Sequence, residues 1–437
     1  MDWSFLIKNK ESLLVSTDTR NLPAGCVFFA LHGEHFDGNK FALQALEQGA
    51  SLAVIDDPEV IASSPDSLIA SSPIAHSQSP IAHSRLLLVE DTLLALQDLA
   101  RAWRRELALP IIGITGTNGK TTTKELLATV LSTKYNLHYT QGNLNNQIGV
   151  PLTLLQIARA HEMAIVEMGA SHPGDIKELV DIAEPNYRLN TNVGRAHLEG
   201  FGSFEGVQRT KQELYDYLVA HNGTIFRNTD NPYLATMYQN ALQAAGDLQR
   251  SDLQDQGADL QRSDLHYTTG VMPDGTHLIG AYNAENVSAA LCVGEYFGVD
   301  REQGLEAIRQ YVPTNNRSQS MQTAHNHLIV DAYNANPTSM QAAINAFQGD
   351  TYILGAMREL GEYSHLEHQN LVNMLAERKA DLVYLVGEEY RQTTSPYPIF
   401  DRVEELRAYL EQHPLRDRKI LLKGSRSTKM ETLLPVL

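Results

Sequence analysis

The stretch PIIGITGTNGKTTTKELL, Pro110 to Leu127, passes from an apolar run through a glycine turn straight into a segment of helical period. Repeated along a chain, this step leaves few options besides parallel strands joined by crossover helices. It is repeated. In a middle block PIIGITG, MAIVEMGA and YRLNTNVG are candidate strands, and Leu126, Leu127, Val130 and Leu131 share one face of a helix starting near Lys120. Near the C-terminus HLIVDAYNANP, TYILGAM, DLVYLVG and KILLKGS repeat the arrangement, with SMQAAINAF and VEELRAYLEQ as helical spacers. A smaller front unit offers GCVFFAL and ASLAVIDD as strands and LLALQDLARAWRREL as a helix. The chain of 437 residues therefore reads as α/β with three domains. They are a small N-terminal α/β domain (1–108), a central P-loop-type domain with a mainly parallel sheet (109–314), and a C-terminal Rossmann-like α/β domain (315–437).

The formal charge of -17 argues against a general nucleic-acid or acidic-membrane binder, since such a surface repels phosphate. Cys26 and Cys292 are too few for a disulfide framework or a thiolate zinc site, and both are expected as buried small hydrophobes. No run approaches the ~18 apolar residues of a membrane span, and the start lacks a basic region followed by an apolar one. A cytoplasmic protein is expected. Two segments, at about 62–85 and 247–265, contain duplications: SPIAHS occurs at 72–77 and 79–84, and DLQRSDL at 247–253 and 259–265. Both read as expanded surface loops, with His76 and His83 in a polar loop rather than on a metal.

The glycine turn departs from the commonest phosphate loop, which needs glycine five places before the Gly-Lys pair; Ile114 stands there. Its mechanics survive. Gly113, Gly116 and Gly119 let backbone N–H groups of Gly116, Thr117, Asn118 and Gly119 turn toward an anion at a helix start. Lys120 can neutralise phosphate charge, and the Thr121 hydroxyl, followed by Thr122, is suited to Mg²⁺. An ordinary glycine-rich turn would explain the glycines but not Gly-Lys-Thr-Thr opening a helix.

Glu167 ends an apolar run, where a parallel strand delivers a carboxylate to the functional edge of its sheet; a Mg²⁺ ligand and a solvated acid are the two readings. His197 follows the next candidate strand and is a loop cap or a metal ligand. Lys211 lies on a likely inward helix face with Leu214 and Leu218. An ammonium cannot ligate Mg²⁺ and is costly to bury unpaired, so spacing alone favours a lysine that reaches back to water.

Taken in order, GTNGKTT, NLNNQIGVPLTLL, VEMGA, AHLEGFGS and TKQELYDYL resemble the Mur ligases of bacterial cell-wall synthesis. The resemblance extends through STDTRNLPAGCVFFALHGEHFDGNKFA, GAYNAENVSAAL, NNRSQ, DAYNANPTSMQAA, LGAMRELGEYSHLEH and LLKGSRSTKME, so it covers nearly the whole chain outside the duplicated inserts. Within the family it is most similar to members that add D-alanyl-D-alanine to UDP-N-acetylmuramoyl-tripeptide. The resemblance implies ATP and Mg²⁺, carbamylation of Lys211 into a metal ligand, and metal roles for Thr121, Glu167 and His197. It also implies ATP contacts from Asn283, Asn286, Arg317 and Asp331, and substrate contacts from Ser16, Thr19, Arg20, Asp37, Gly38 and Asn145. Lys423, Ser425 and Arg426 are candidates for reading the dipeptide, with a plain strand-end turn as the alternative. Ala356 replaces the family's acidic residue in LGAMRELG.

The implied reaction is amide formation through an acyl phosphate, with Lys120, Glu167, His197 and Lys211 as catalytic residues in a monomer. The residues leave the general base open. Another Mur ligase, a folylpolyglutamate synthetase-like ligase, a metabolite kinase and a nucleotide-binding module without catalysis are the competing readings.

Overall fold

The computed structural model describes residues 1–64, 85–221, 223–252, 264–280, 282–314 and 316–437. The first duplication, with His76 and His83, lies outside them. The second was expected as a loop, but its first copy continues the helix Pro232–Asp252 and its second copy runs into a strand at Asp264. The reason is composition: from Pro232 to Asp252 only Gly246 interrupts a run of helix-compatible residues, and no proline follows the first turn.

The chain divides into two compact units, one of residues 1–113, 135–169 and 177–187, the other of 114–134, 170–176 and 188–437. Among the described residues the strands fall into three larger sheets and a short hairpin of β3 (His32–Gly33) and β4 (Phe36–Asp37).

In the first unit β1 (Val15–Ser16), β2 (Val27–Phe29), β5 (Leu52–Ile55) and β6 (Leu86–Leu88) form a parallel sheet in that order. All four residues of β5 are buried, as an unbroken Leu-Ala-Val-Ile run requires. The helix Thr92–Leu107 starts where Asp91 accepts from the Leu94 N–H, 2.8 Å, and ends at left-handed Ala108, just before Pro110. Its inner face buries Leu96, Leu99, Ala100 and Trp103. Each such large side chain stabilises by ~1.5–3 kcal/mol. Cys26 is buried as expected, but Cys292, in the second unit, is only partly so.

The central sheet has the order β12-β11-β10-β7-β9-β8, made of β7 (Ile111–Thr115), β8 (Leu137–Tyr139), β9 (Met163–Glu167), β10 (Tyr187–Asn190), β11 (Thr224–Asn228) and β12 (Asp264–Tyr267). The β8–β9 and β11–β12 pairs run parallel. The third sheet, in the second unit, has the order β13-β14-β18-β15-β16-β17. Its strands are β13 (Gln319–Gln322), β14 (His327–Asp331), β15 (Thr351–Gly355), β16 (Leu382–Val386), β17 (Ile399–Phe400) and β18 (Lys419–Lys423). Only β13 pairs antiparallel; the other four pairings are parallel. An apolar core containing Val193, Leu198 and Phe201 together with Met340, Ile344, Leu354 and Leu385 joins the two halves of this second unit.

Candidate active site

The turn after β7 is built for glycine at two points. Gly116 has φ 144°, and a Cβ there would run into Thr191 Oγ1; Gly119 has φ 79°, and its Cβ would meet Asn286 Oδ1 at 2.5 Å. Gly119 also opens the helix Lys120–Leu131 without a side chain to cap it. A glycine there puts no side chain over the first-turn N–H groups, which suits an anion-binding helix start.

The loop is held from several sides. Asn118 N–H donates to Asn192 Oδ1, 2.9 Å, Thr191 Oγ1 donates to the Asn118 carbonyl, 2.6 Å, and Asn336 Nδ2 donates to Asn118 Oδ1, 2.8 Å. Lys120 Nζ curls back onto the carbonyls of Gly116, 2.8 Å, and Thr117, 3.2 Å. Asn286 accepts from Thr123 Oγ1, 2.9 Å, and donates to Asn283 Oδ1, 2.9 Å, so this buried pair braces the loop from the helix Asn283–Tyr296. Thr121 is buried at the start of its helix, with Thr122 beside it less so.

Lys211 overturns the snorkelling reading: it is 2% exposed, and its Nζ donates to Thr115 Oγ1, 3.3 Å. Burial first, then the charge of Lys120, holds its pKa well below the ordinary lysine range. A lowered pKa raises the share of free amine, the form that is a nucleophile for CO₂.

In the first unit, Glu167 ends β9 at 1% exposure. Asn145 Nδ2 donates to Glu167 Oε1, 2.8 Å, and Thr140 Oγ1 accepts from the Glu167 N–H, 3.0 Å. Asn145 therefore orients the acid.

His197 adopts a left-handed backbone, φ 50°, at the start of the short helix Leu198–Phe201, and its Nδ1 pairs with Glu359. The hydrogen bond from His197 holds the Glu359 carboxyl below its usual range. Arg195 next to it pairs with buried Glu367, 2.8 Å. Among the described residues no three His, Cys, Asp or Glu side chains converge as a metal site. An ion bound through Glu167 or His197 thus needs donors of another kind, and hydroxyl, phosphate and carbamate oxygens suit Mg²⁺.

At the C-terminal ends of β14 and β18, Asp331 and Lys423 face each other at 2.5 Å, and Lys423 also reaches the Asn334 carbonyl, 3.3 Å. Ser425 Oγ donates to the Ala356 carbonyl, 2.8 Å. The guanidinium of Arg317 lies 3.9 Å from the Tyr333 ring centroid, and that of exposed Arg426 lies 5.6 Å from it.

At the front of the chain the Ser16, Thr19 and Arg20 segment bonds to itself. Asp18 caps the turn Thr19–Asn21 and pairs with Arg20 at 2.6 Å, and Ser16 Oγ donates to the Asp18 carbonyl, 3.0 Å. Asp37 accepts from the Asn39 N–H, 3.0 Å. Gly38 is fixed by packing, since a Cβ would overlap the backbone of Ala30 and Leu31.

Three family models match in sequence: "Mur ligase family, catalytic domain" over 13–104, "Mur ligase middle domain" over 114–294, and "Mur ligase, glutamate ligase domain" over 316–426. The chain is 33% identical to the UDP-N-acetylmuramoyl-tripeptide--D-alanyl-D-alanine ligase of Bacillus subtilis, covering 96% of this chain and 92% of that one. It belongs to the Mur ligase family. The enzyme of the same name from Escherichia coli is 31% identical over 97% of this Mur ligase and 93% of its own length. Among solved structures, MurF from Acinetobacter baumannii aligns with TM-score 0.77 at 29% identity, covering 96% of this chain and 92% of that one. MurF ligase from Thermotoga maritima, in complex with ADP, aligns with TM-score 0.76 at 25% identity, covering 100% and 98%. The fold class expected from sequence, three Mur ligase domains of mixed α/β structure, is the one found.

For this Mur ligase, sequence reasoning missed the residues that act on others. Asn336 was absent from the site, although its Asn-Pro-x-Ser pattern is a recognisable helix cap; it forms a capping box with Ser339 and holds Asn118 as well. Glu359 and Tyr333 carried no signal of their own, because their partners His197, Arg317 and Arg426 are distant in sequence. The departure at Ala356 has a packing reason: the residue is fully buried, and even a Cβ on Gly387 would come within 2.5 Å of its own.

Proposed function

We propose that this Mur ligase adds D-alanyl-D-alanine to UDP-N-acetylmuramoyl-tripeptide, converting ATP to ADP and phosphate and giving the pentapeptide precursor of peptidoglycan. The observation that carries the reading is the near full-length likeness to relatives of that one name.

The chemistry follows from the electrophile. A carboxylate resists attack by an amine, so its oxygen first attacks the γ-phosphorus of ATP, ADP departs, and an acyl phosphate remains. The deprotonated amine of the dipeptide then attacks the carbonyl carbon, and the tetrahedral intermediate expels phosphate. The loop N–H groups of Gly116 to Thr122 and the Lys120 ammonium offset the charge on the transferring group. Addition of the free Lys211 amine to CO₂, forming an N–C bond with loss of one proton, would give a carbamate, and this with Thr121, Glu167 and His197 would supply oxygen and nitrogen donors suited to Mg²⁺. When bound, the cation neutralises phosphate charge.

Asn283 and Asn286 brace the nucleotide loop, with Arg317 and Asp331 as further ATP-side groups. Ser16, Thr19, Arg20, Asp37 and Gly38 serve the uridine nucleotide, and Asn145 the tripeptide side. Of the three dipeptide candidates Lys423 and Ser425 are bonded within the protein, which favours Arg426 for the dipeptide carboxylate. A cytoplasmic monomer with no nucleic-acid partner fits the small-molecule substrates, the net charge of -17 and the lack, among the described residues, of a helix able to cross a membrane.

The test is phosphate release from ATP and Mg²⁺ with UDP-N-acetylmuramoyl-tripeptide, with and without D-alanyl-D-alanine, and the product mass. Release requiring both substrates, with a product heavier by one dipeptide unit, is expected. Release indifferent to the dipeptide would point to a kinase.

A further inference from the structure

His197 and Glu359 both hold a left-handed backbone, φ 50° and 61°, which residues with a Cβ seldom adopt. They come from different sheets of the second unit: His197 opens the short helix Leu198–Phe201 after β10, and Glu359 follows β15. Yet the two meet. His197 Nδ1 pairs with the Glu359 carboxylate, and the Glu199 N–H donates to the Glu359 carbonyl, 3.1 Å. Their neighbours Leu198, Phe201 and Leu360 are buried in one apolar core, and the Phe201 ring stands edge-on to the imidazole, centroids 6.3 Å apart. The segment before His197 is held from the same side. Thr338 Oγ1 accepts from the Arg195 N–H, 2.9 Å, and Glu367 pairs with the Arg195 side chain, 2.8 Å.

Two strained residues facing each other cost stability, and their ion pair offsets little of it: the side chains of His197 and Glu359 are 27% and 58% exposed, so water screens the attraction. What the pair does supply is orientation. The Glu359 carboxyl, held below its usual range by the hydrogen bond from His197, is ionised at neutral pH and can only accept. The hydrogen therefore sits on Nδ1, and in the neutral ring the lone pair is left on Nε2. Metal-bound imidazoles are commonly oriented in this way, by a carboxylate on the nitrogen that does not bind the ion. We infer that Glu359 is a positioning residue for His197, fixing its ring as the Nδ1–H tautomer and presenting Nε2 to a divalent cation. The inference rests on the metal role proposed for His197 and adds which nitrogen binds and what selects it. It also ties that donor to the third sheet, since Glu359, Thr338 and Glu367 all belong to the segments around it.

The test uses the full chain with Mn²⁺ and a non-hydrolysable ATP analogue. Mn²⁺ affinity is read from the EPR signal of the free ion, and pulsed EPR detects an imidazole nitrogen bonded to the bound one. The parent should show that coupling, and His197→Ala should lose it. Glu359→Gln keeps an acceptor for the Nδ1–H and should bind Mn²⁺ within about 3-fold of the parent, whereas Glu359→Leu should bind ~10–100-fold more weakly with an unchanged denaturant midpoint. Should Glu359→Leu fail to fold, Glu359→Gly, which relieves the backbone and removes the side chain, takes its place with the same expected loss. Parent-like affinity in the variant without an acceptor would overturn the inference. So would a Gln variant as weak as the Leu variant, since charge rather than the tautomer would then be what matters. A parent without imidazole coupling is a different result: it would remove the metal role of His197 itself, and the inference with it.

Discussion

Asp331 and Lys423 are direct register partners at the ends of two parallel strands, and their side chains close on each other at 2.5 Å. Sequence motifs assign one to the nucleotide and the other to the dipeptide, yet each is the other's counter-ion. Lys423 is 1% exposed and the Asp331 side chain 16%, so removing Lys423 leaves Asp331 a carboxylate with little access to water. Lys423→Met should destabilise the protein by ~3–5 kcal/mol, and the double variant Asp331→Leu/Lys423→Met by clearly less. Denaturant midpoints of the two proteins check this; equal losses would dissolve the pairing argument.

Lys211 should require CO₂. Its buried amine is held well below the ordinary lysine range by burial and by Lys120. Activity in buffers stripped of CO₂ should fall and return with added bicarbonate. Lys211→Ala should lose ~10³-fold or more in kcat and regain part of it with added short carboxylic acids. A stripped enzyme of undiminished activity would remove the carbamate from the scheme.

Gly119→Ala places a methyl 2.5 Å from Asn286 Oδ1 on a backbone at φ 79°. Both the strain and the displaced asparagine fall on the phosphate loop. ATP affinity should drop by ~10-fold or more, with the fold retained as judged by circular dichroism.

Asn145 tests orientation apart from charge. Asn145→Ala frees Glu167 Oε1 from its 2.8 Å donor while leaving the carboxylate in place. A loss of ~10–100-fold in activity is expected, partly recovered by raising Mg²⁺. Glu167→Gln should not respond to Mg²⁺ in this way.

Asp56 makes the first unit acid-sensitive. Burial raises its pKa, but hydrogen bonds from Asn39 and Thr92, with His32 3.0 Å away, more than offset this and leave it lowered. A lowered folded pKa means its stabilisation is complete above the ordinary carboxylate value of about 3.9 and is lost as pH falls through the folded one. Asp56→Asn should therefore flatten the acid limb of a stability profile measured below about pH 5, and leave its slope near neutrality unchanged.

Strands and helices were legible where local chemistry is strong. The run at β5, the glycine turn after β7 and the helix from Lys120 were readable from their residues alone, because apolar runs and positive-φ glycines act over a few positions. β12 was not, because its first two residues, Asp264 and Leu265, end the second DLQRSDL copy and read as part of a polar insert. Gly38 is instructive in another way: its motif suggests a ligand, whereas its environment shows a backbone with no space for a Cβ.

By itself the sequence determined the α/β alternation and the glycine turn, and it singled out Lys120, Glu167, His197 and Lys211 as candidates, since each reading depends on residue type and near neighbours. Tertiary structure alone decided their states. Whether Lys211 is solvated or buried, and whether Lys423 meets a substrate or Asp331, depend on residues distant in sequence. Desolvation and pairing are properties of the space around a group, and that space exists only once the chain has folded.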